Sequence, residues 1–118
     1  MSFYDIEDII EASTIPGLTL ITAPDLLRPH LAAGETCLWI GAPESIEFEG
    51  YGQGTCSWKA ALVHPKFRDH LAAFPELLEY ASELEPRLSV SSIRPDTIDL
   101  AGTLYPALEI SFETTFRK

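Results

Sequence analysis

Apolar and polar residues alternate along this chain in two periods, and the change from one to the other marks out the elements. Phe3, Ile6, Ile9 and Ile10 fall on one helical face behind Ser2, whose pairing with Asp5 is capping-box-like. They predict a first helix over residues 3–12, ended by Pro16-Gly17. Leu18-Thr19-Leu20-Ile21-Thr22 is β-branched enough to be a strand. Residues 23–34 carry Pro24, Pro29 and a capping Asp25, so a short helical turn inside a long surface excursion fits them better than a further strand. Thr36-Cys37-Leu38-Trp39-Ile40 reads as a strand, and Ser45-Ile46-Glu47-Phe48-Glu49 alternates in the period of a half-exposed one. Residues 55–63 place Cys56, Trp58, Ala60 and Leu62 on one face, and pair back across Gly50-Tyr51-Gly52-Gln53-Gly54.

After His64-Pro65, the residues Leu71, Phe74, Leu78, Ala81 and Leu84 recur at steps of three and four and predict the longest helix. Pro75 lies inside that stripe, where a kink or a restart is expected, and Pro86 marks the far end. Two strands follow, over residues 88–93 and 107–116, with residues 96–102 turn-rich and holding at most a short strand at Thr97-Ile98-Asp99-Leu100. Clustered strands between two helices, with hairpin-length connections, predict an α+β fold of two layers. The expected architecture is a mostly antiparallel β-sheet packed on one side by the N-terminal helix and the longer central helix, in one domain over residues 1–118. A sheet of this kind leaves edges that must be capped, charged or paired, and neighbouring subunits are one way of doing so.

Composition narrows the function classes. The 118 residues include 8 basic and 18 acidic side chains, a formal charge of −10, so the chain lacks the positive charge that neutralises a run of phosphates. The start of the chain is acidic from Asp5 and has no apolar stretch of secretory type, no run approaches the ~20 residues that cross a bilayer, and no basic amphipathic face is present. Synthesis in the cytoplasm without a membrane association is the expectation. Cys37 and Cys56 lie in strand-like segments without a CxxC spacing, and read as buried thiols or as a cross-strand disulfide.

Catalytic chemistry finds no pattern. Gly-x-Ser-x-Gly is absent, and Gly50-x-Gly52-x-Gly54 precedes a strand and lacks the Lys-Ser/Thr ending of a phosphate loop. His64 and His70, six apart around Asp69, match no ligand spacing and read as solvated or capping, while His30 is isolated. Glu76, Glu79, Glu83 and Glu85 read as the wet side of the long helix, and Asp5, Glu7, Asp8 and Glu11 as that of the first. Trp39 and Trp58 read as core aromatics. Tyr51, between glycines at a hairpin tip, is either a contact anchor or part of a locally packed loop.

The order of elements and the closing segment SVSSIRPDTIDLAGTLYPALEISFETTFRK carry a resemblance. An amphipathic first helix, a strand pair joined by a Gly-rich projecting hairpin, and a His-Pro step into a long helix precede it. Ser89-Val90-Ser91-Ser92-Ile93, Gly102, Tyr105-Pro106-Ala107 and an alternating last strand complete it. Together they resemble the tail terminator proteins of long-tailed, non-contractile bacteriophages. The resemblance implies a virion protein at the head-proximal end of the tail, with no enzymatic activity, no cofactor and no metal. It implies a homohexameric ring that stops growth of the tail tube and offers a surface for head joining, with the major tail tube protein and a head-completion or stopper protein as partners. DNA would pass through without specific binding. Six copies at −10 each carry −60, and acidic groups facing a channel would repel phosphates.

Ring contacts are expected on Glu47, Glu49, Gly50, Tyr51, Gly52, Gln53 and Gly54 of the hairpin and on Leu26, Leu27 and Leu31 of the excursion. Two alternatives stand beside this reading: another head-tail connector of the head-completion or stopper type, and a small acidic cytosolic binding or inhibitor protein.

Overall fold

The computed structural model describes residues 6–117. Helix α1 (Ile6–Ala12) leads through a turn to strand β1 (Leu18–Ile21); a 3-10 turn (Pro24–Leu26) and helix α2 (Leu27–Ala32) then return the chain to β2 (Thr36–Ile40). Strands β3 (Ser45–Gly50) and β4 (Gln53–Val63) form a hairpin, helix α3 (His70–Leu88) crosses the sheet, and β5 (Val90–Leu100) and β6 (Thr103–Arg117) form a second hairpin. Phe3 and the Ser2 cap expected at the start of α1 lie outside the described residues.

The sheet order is β1-β2-β4-β6-β5, with β3 also paired to β4. Only β1 and β2 run parallel, joined by the α2 crossover; the remaining pairs are antiparallel. This is an α+β fold with a mostly antiparallel six-stranded sheet. Strand β4 organises it, because β2 pairs with its last four residues and β3 with its first five on the same edge, while β6 runs along all of the other edge.

Alternation along the strands sorts the core into two faces. Leu38, Trp58, Ala60, Leu62, Ile110 and Phe112 point toward α1 and α3 and form the main core. Cys37, Val63, Tyr105 and Ala107 point the other way and are covered by Leu27 and Leu31 of α2. A short third helix thus closes one end of the face that the sequence reading leaves bare. The two cysteines are buried free thiols on opposite faces, and burial, aided by the nearby Glu35 charge, pushes the Cys37 thiol up to about 11.

Two expectations shift register. The buried stripe of α3 is Ala73, Leu77, Ala81, Leu84 and Leu88, whereas Leu71 and Leu78 face solvent. Both stripes obey helical spacing, and the better one is decided by where α3 meets the sheet. The helix is continuous through Pro75 and Pro86 without a restart, begins at Asp69, whose side chain accepts from the Ala72 N–H, and ends at Ser89 in the left-handed region at φ 54°. Residues 96–102 are no open turn either. Strand β5 continues through Pro95, which an edge strand tolerates because its outer backbone needs no partner within the sheet, and turns only at Ala101-Gly102.

Candidate interaction surface

The β3–β4 hairpin is the part of the sheet that the helices do not reach. A 19-residue helix is only about 28 Å long, and the molecule measures 50 Å along its longest axis. Beyond the helical layer the first half of β4 continues between β3 and the end of β6 as a three-stranded finger. Its tip is a two-residue turn with Tyr51 at φ 55° and Gly52 at φ 71°, the paired positive values of a turn that matches strand twist. Gly50, at φ 97°, takes up the register shift just before it.

The finger has two unlike faces. Ile46 opposite Cys56, Phe48 opposite Gly54, and Phe116 across from Gly54 continue the apolar face of the main core into solvent. Phe48 is 77% exposed and meets Phe116 edge to face at 5.5 Å. On the reverse face, Glu49 accepts from Thr55 Oγ1 at 2.8 Å and Glu113 from Ser57 Oγ at 3.3 Å, with Glu47 beside them opposite Thr55. All of β3 is exposed, and its outer edge has no strand partner among the described residues, which leaves backbone N–H and C=O groups open to a further strand.

The expected contact residues separate on this geometry. Glu47, Glu49, Gly50 and Tyr51 are exposed on the finger, with Tyr51 98% accessible, so this ring is not packed against its own loop. Gly52 is partly exposed in the turn, and Gln53 is the exposed first residue of β4. Gly54 is no loop residue; it is buried within β4, where a Cβ would collide with the Glu47 carbonyl and the Phe116 ring. Leu26 is exposed, but Leu27 and Leu31 are 2% accessible and belong to the core. Their place in a ring contact is corrected: the helical turn in the excursion uses its leucines to seal the sheet.

His64, expected to be solvated or capping, and His30, expected to be isolated, both have side-chain partners. His64, at the end of β4, is buried; its Nδ1 accepts from the Lys66 N–H at 3.1 Å, so the Nε2 proton is donated to Glu76 Oε2 at 2.5 Å. His30 Nδ1 bonds Glu35 at 3.1 Å, and Glu35 also accepts from Thr19 Oγ1 at 2.7 Å. Trp58 is a core residue that stacks on Phe112 and donates to Thr114 Oγ1 at 2.9 Å, whereas Trp39 is half-buried on the opposite face. No group of three metal-ligating side chains occurs among the described residues. A cleft of about 320 Å³ between α1 and β2, bounded by Ile10, Leu20, Ile40, Pro43 and Trp58, is apolar and has no titratable group in its lining.

The His64 hydrogen bond, chiefly, holds the Glu76 carboxyl below its ordinary value of 4.5. The folded state therefore binds that proton more weakly than the unfolded chain, and the contact contributes stability above 4.5 that is given up as pH falls through the lowered folded value. Glu76 is largely solvated, which keeps the contribution small. Glu76→Gln should have a lower urea midpoint than the wild type at neutral pH, and the difference should close in acid as the wild-type carboxyl becomes protonated. A difference that persists unchanged in acid would remove Glu76 as its source.

Sequence reasoning missed Ile46 and Phe48 as surface residues, because alternation marks the apolar side of a strand without saying whether anything covers it. It also missed Phe67, Leu71 and Leu104, which are exposed together at the far end of the sheet; the one available signal was that Leu71 falls off the better of the two helical stripes. No protein-family model matches the chain, and comparison with curated proteins finds no significant sequence match.

Proposed function

We propose that this protein is a structural subunit of a tail-terminator-like ring, which stops growth of a phage tail tube and presents the surface for head joining. The observation that supports this reading most is the finger: exposed Ile46 and Phe48 on β3, whose outer edge lacks a partner among the described residues, backed by the partly buried Phe116 of β6 and tipped by a fully exposed Tyr51. Exposed aromatics on a rigid projecting hairpin are typical contact anchors, and an open strand edge supplies backbone hydrogen bonds to a neighbour. In this role the subunit works by shape, as a homohexamer seated on the major tail tube protein and capped by a head-completion or stopper protein. Its acidic surface would let DNA pass without gripping it.

Light scattering and negative-stain images of the concentrated protein, alone and with purified tail tubes, test the reading. The expected result is a ring at the tube end. Tyr51→Ala combined with Phe48→Ala should weaken assembly about tenfold or more while the circular dichroism spectrum is unchanged. Unchanged oligomer size and tube capping in that variant would reject the finger as the contact, and binding to portal complexes in place of tubes would favour the stopper role. A monomer that binds a basic partner with steep salt dependence would point to the acidic inhibitor instead.

A further inference from the structure

We infer that the outer edge of β3 takes up an extended segment of another protein, one that alternates apolar and basic residues, as an added strand of the sheet. The inference goes beyond the ring reading, since the tip and the apolar face of the finger stay open to a neighbouring copy whichever strand fills the edge.

The edge is laid out for such an addition. The Glu47 carbonyl is turned toward Gly54 of β4, and hydrogen-bonding groups alternate along an antiparallel strand, so the N–H and C=O groups of Ile46 and Phe48 face outward. The same two residues carry apolar side chains that are 52% and 77% exposed. A strand bonded to those groups sets its apolar residues beside Ile46 and Phe48 on one face and its intervening residues beside Glu47 and Glu49 on the other. Main-chain bonds supply affinity in this mode of recognition, and the alternating side chains choose the sequence.

The wet face determines which strand fits. Glu47 and Glu49 are exposed, and neither forms an ion pair among the described residues. Glu113 adds a third carboxylate to that face. Of the basic residues there, Lys59 is held by Glu44 at 3.0 Å and lies 3.9 Å from Glu109, and Arg117 stands on β6, two strands from the edge. The edge strand itself thus carries two carboxylates and no base, and opposite charges directly across a strand pair stabilise the pairing.

A second copy does not meet that requirement. In β3 against β3, any register that pairs most of the strand and keeps Ile46 and Phe48 on one face sets carboxylate against carboxylate. The other edges of a copy fare no better. Strand β1 has four residues and no charge; β5 carries Pro95 near its middle and Asp96 and Asp99 against the single Arg94; the part of β6 beyond β5, residues 113–117, offsets Arg117 with Glu113. Charge on an edge strand is a common guard against unwanted pairing, and here it refuses another β3 while admitting a basic strand.

NMR titration of the full-length protein with a capped peptide alternating lysine and valine tests this. The controls are a peptide of the same composition with lysines and valines in separate blocks, and one alternating glutamate and valine. The alternating basic peptide should shift the Ile46 and Phe48 amides, slow their hydrogen exchange, and bind about tenfold or more tightly than either control. Glu47→Lys with Glu49→Lys, both at exposed positions, should reverse the order of the lysine and glutamate peptides. Ile46→Pro, which removes an outward N–H, should abolish binding, with circular dichroism reporting that the fold is kept. Equal binding of the blocked and alternating peptides would reduce the contact to charge alone and overturn the inference. Binding that leaves the β3 amides unmoved, an unchanged peptide order in the double lysine variant, or no binding at millimolar peptide would overturn it as well. Sedimentation velocity without peptide reads ring assembly separately. A wild type that assembles and ignores the peptide sinks the added strand alone, and one that stays monomeric with tail tubes yet binds the peptide sinks the ring alone.

Discussion

Phe112→Ala should lower the free energy of unfolding by about 3–5 kcal/mol, a large share of the roughly 5–15 kcal/mol that holds a domain of this kind together. Phe112 is 1% exposed at the middle of β6, where it is paired with Trp58 on one side and Val90 on the other. Its ring stacks on Trp58 at a centroid distance of 6.0 Å and an interplanar angle of 5°. Strands on both sides and α3 above leave little freedom for the surroundings to collapse, so the hole should stay largely open and carry the full cavity cost. Urea unfolding followed by tryptophan fluorescence and by circular dichroism measures the loss. Leu78→Ala, on the solvent side of α3, is the matched control and should stay within about 0.5 kcal/mol of wild type. A Phe112→Ala loss as small as that of the control would contradict the placement of the core.

Gly54→Val should disable the finger. The new side chain would enter the space shared by the Glu47 carbonyl and the Phe116 ring. The ring can swing away, but the carbonyl belongs to the β3 backbone, so relief requires β3 to part from β4 at the Phe48–Gly54 pairing. Overpacking of this sort costs about 1–3 kcal/mol, and the larger consequence should be functional: Phe48 loses its fixed position and self-association falls along with it. Amide hydrogen exchange should show faster exchange in Ser57 and the residues of β4 that pair with β3, with α3 unaffected. Gly41→Ala, at a position with open space around the missing Cβ, should change neither property. Retained protection in the finger of Gly54→Val would mean that the strand pair tolerates the side chain and that the glycine is dispensable.

The two glycine-containing hairpins show how much could be read in advance. Gly50, Gly52 and Gly102 announce turns, and in each case positive φ angles at the turn explain why glycine is there. The same run of glycines misled at Gly54, whose reason is the close approach of Phe116 from the neighbouring strand, a contact 62 positions away in the chain. Leu27 and Leu31 misled in the same manner. A short amphipathic turn between prolines gives no sign of which surface it will cover, and the buried face it closes is assembled from β2, β4 and β6. Pro75 predicts a kink or a restart and residues 96–102 a turn, yet a long helix anchored to the sheet and an edge strand with a free outer side each absorb a proline without ending.

By itself the sequence determined the local periods: two helices and an alternating set of strands in order, hence a two-layer α+β fold, and a projecting glycine-bounded hairpin. Periodicity reports which side of an element is apolar, and that information is local. Only the tertiary structure decided which apolar sides are covered. Because α3 is shorter than the sheet it crosses, Ile46 and Phe48 emerge at one end, and because α3 seats on Ala73, Leu77, Ala81, Leu84 and Leu88, Leu71 is left outside at the other. Coverage depends on the lengths and crossing of elements far apart in the chain, and no pattern within a single element encodes it.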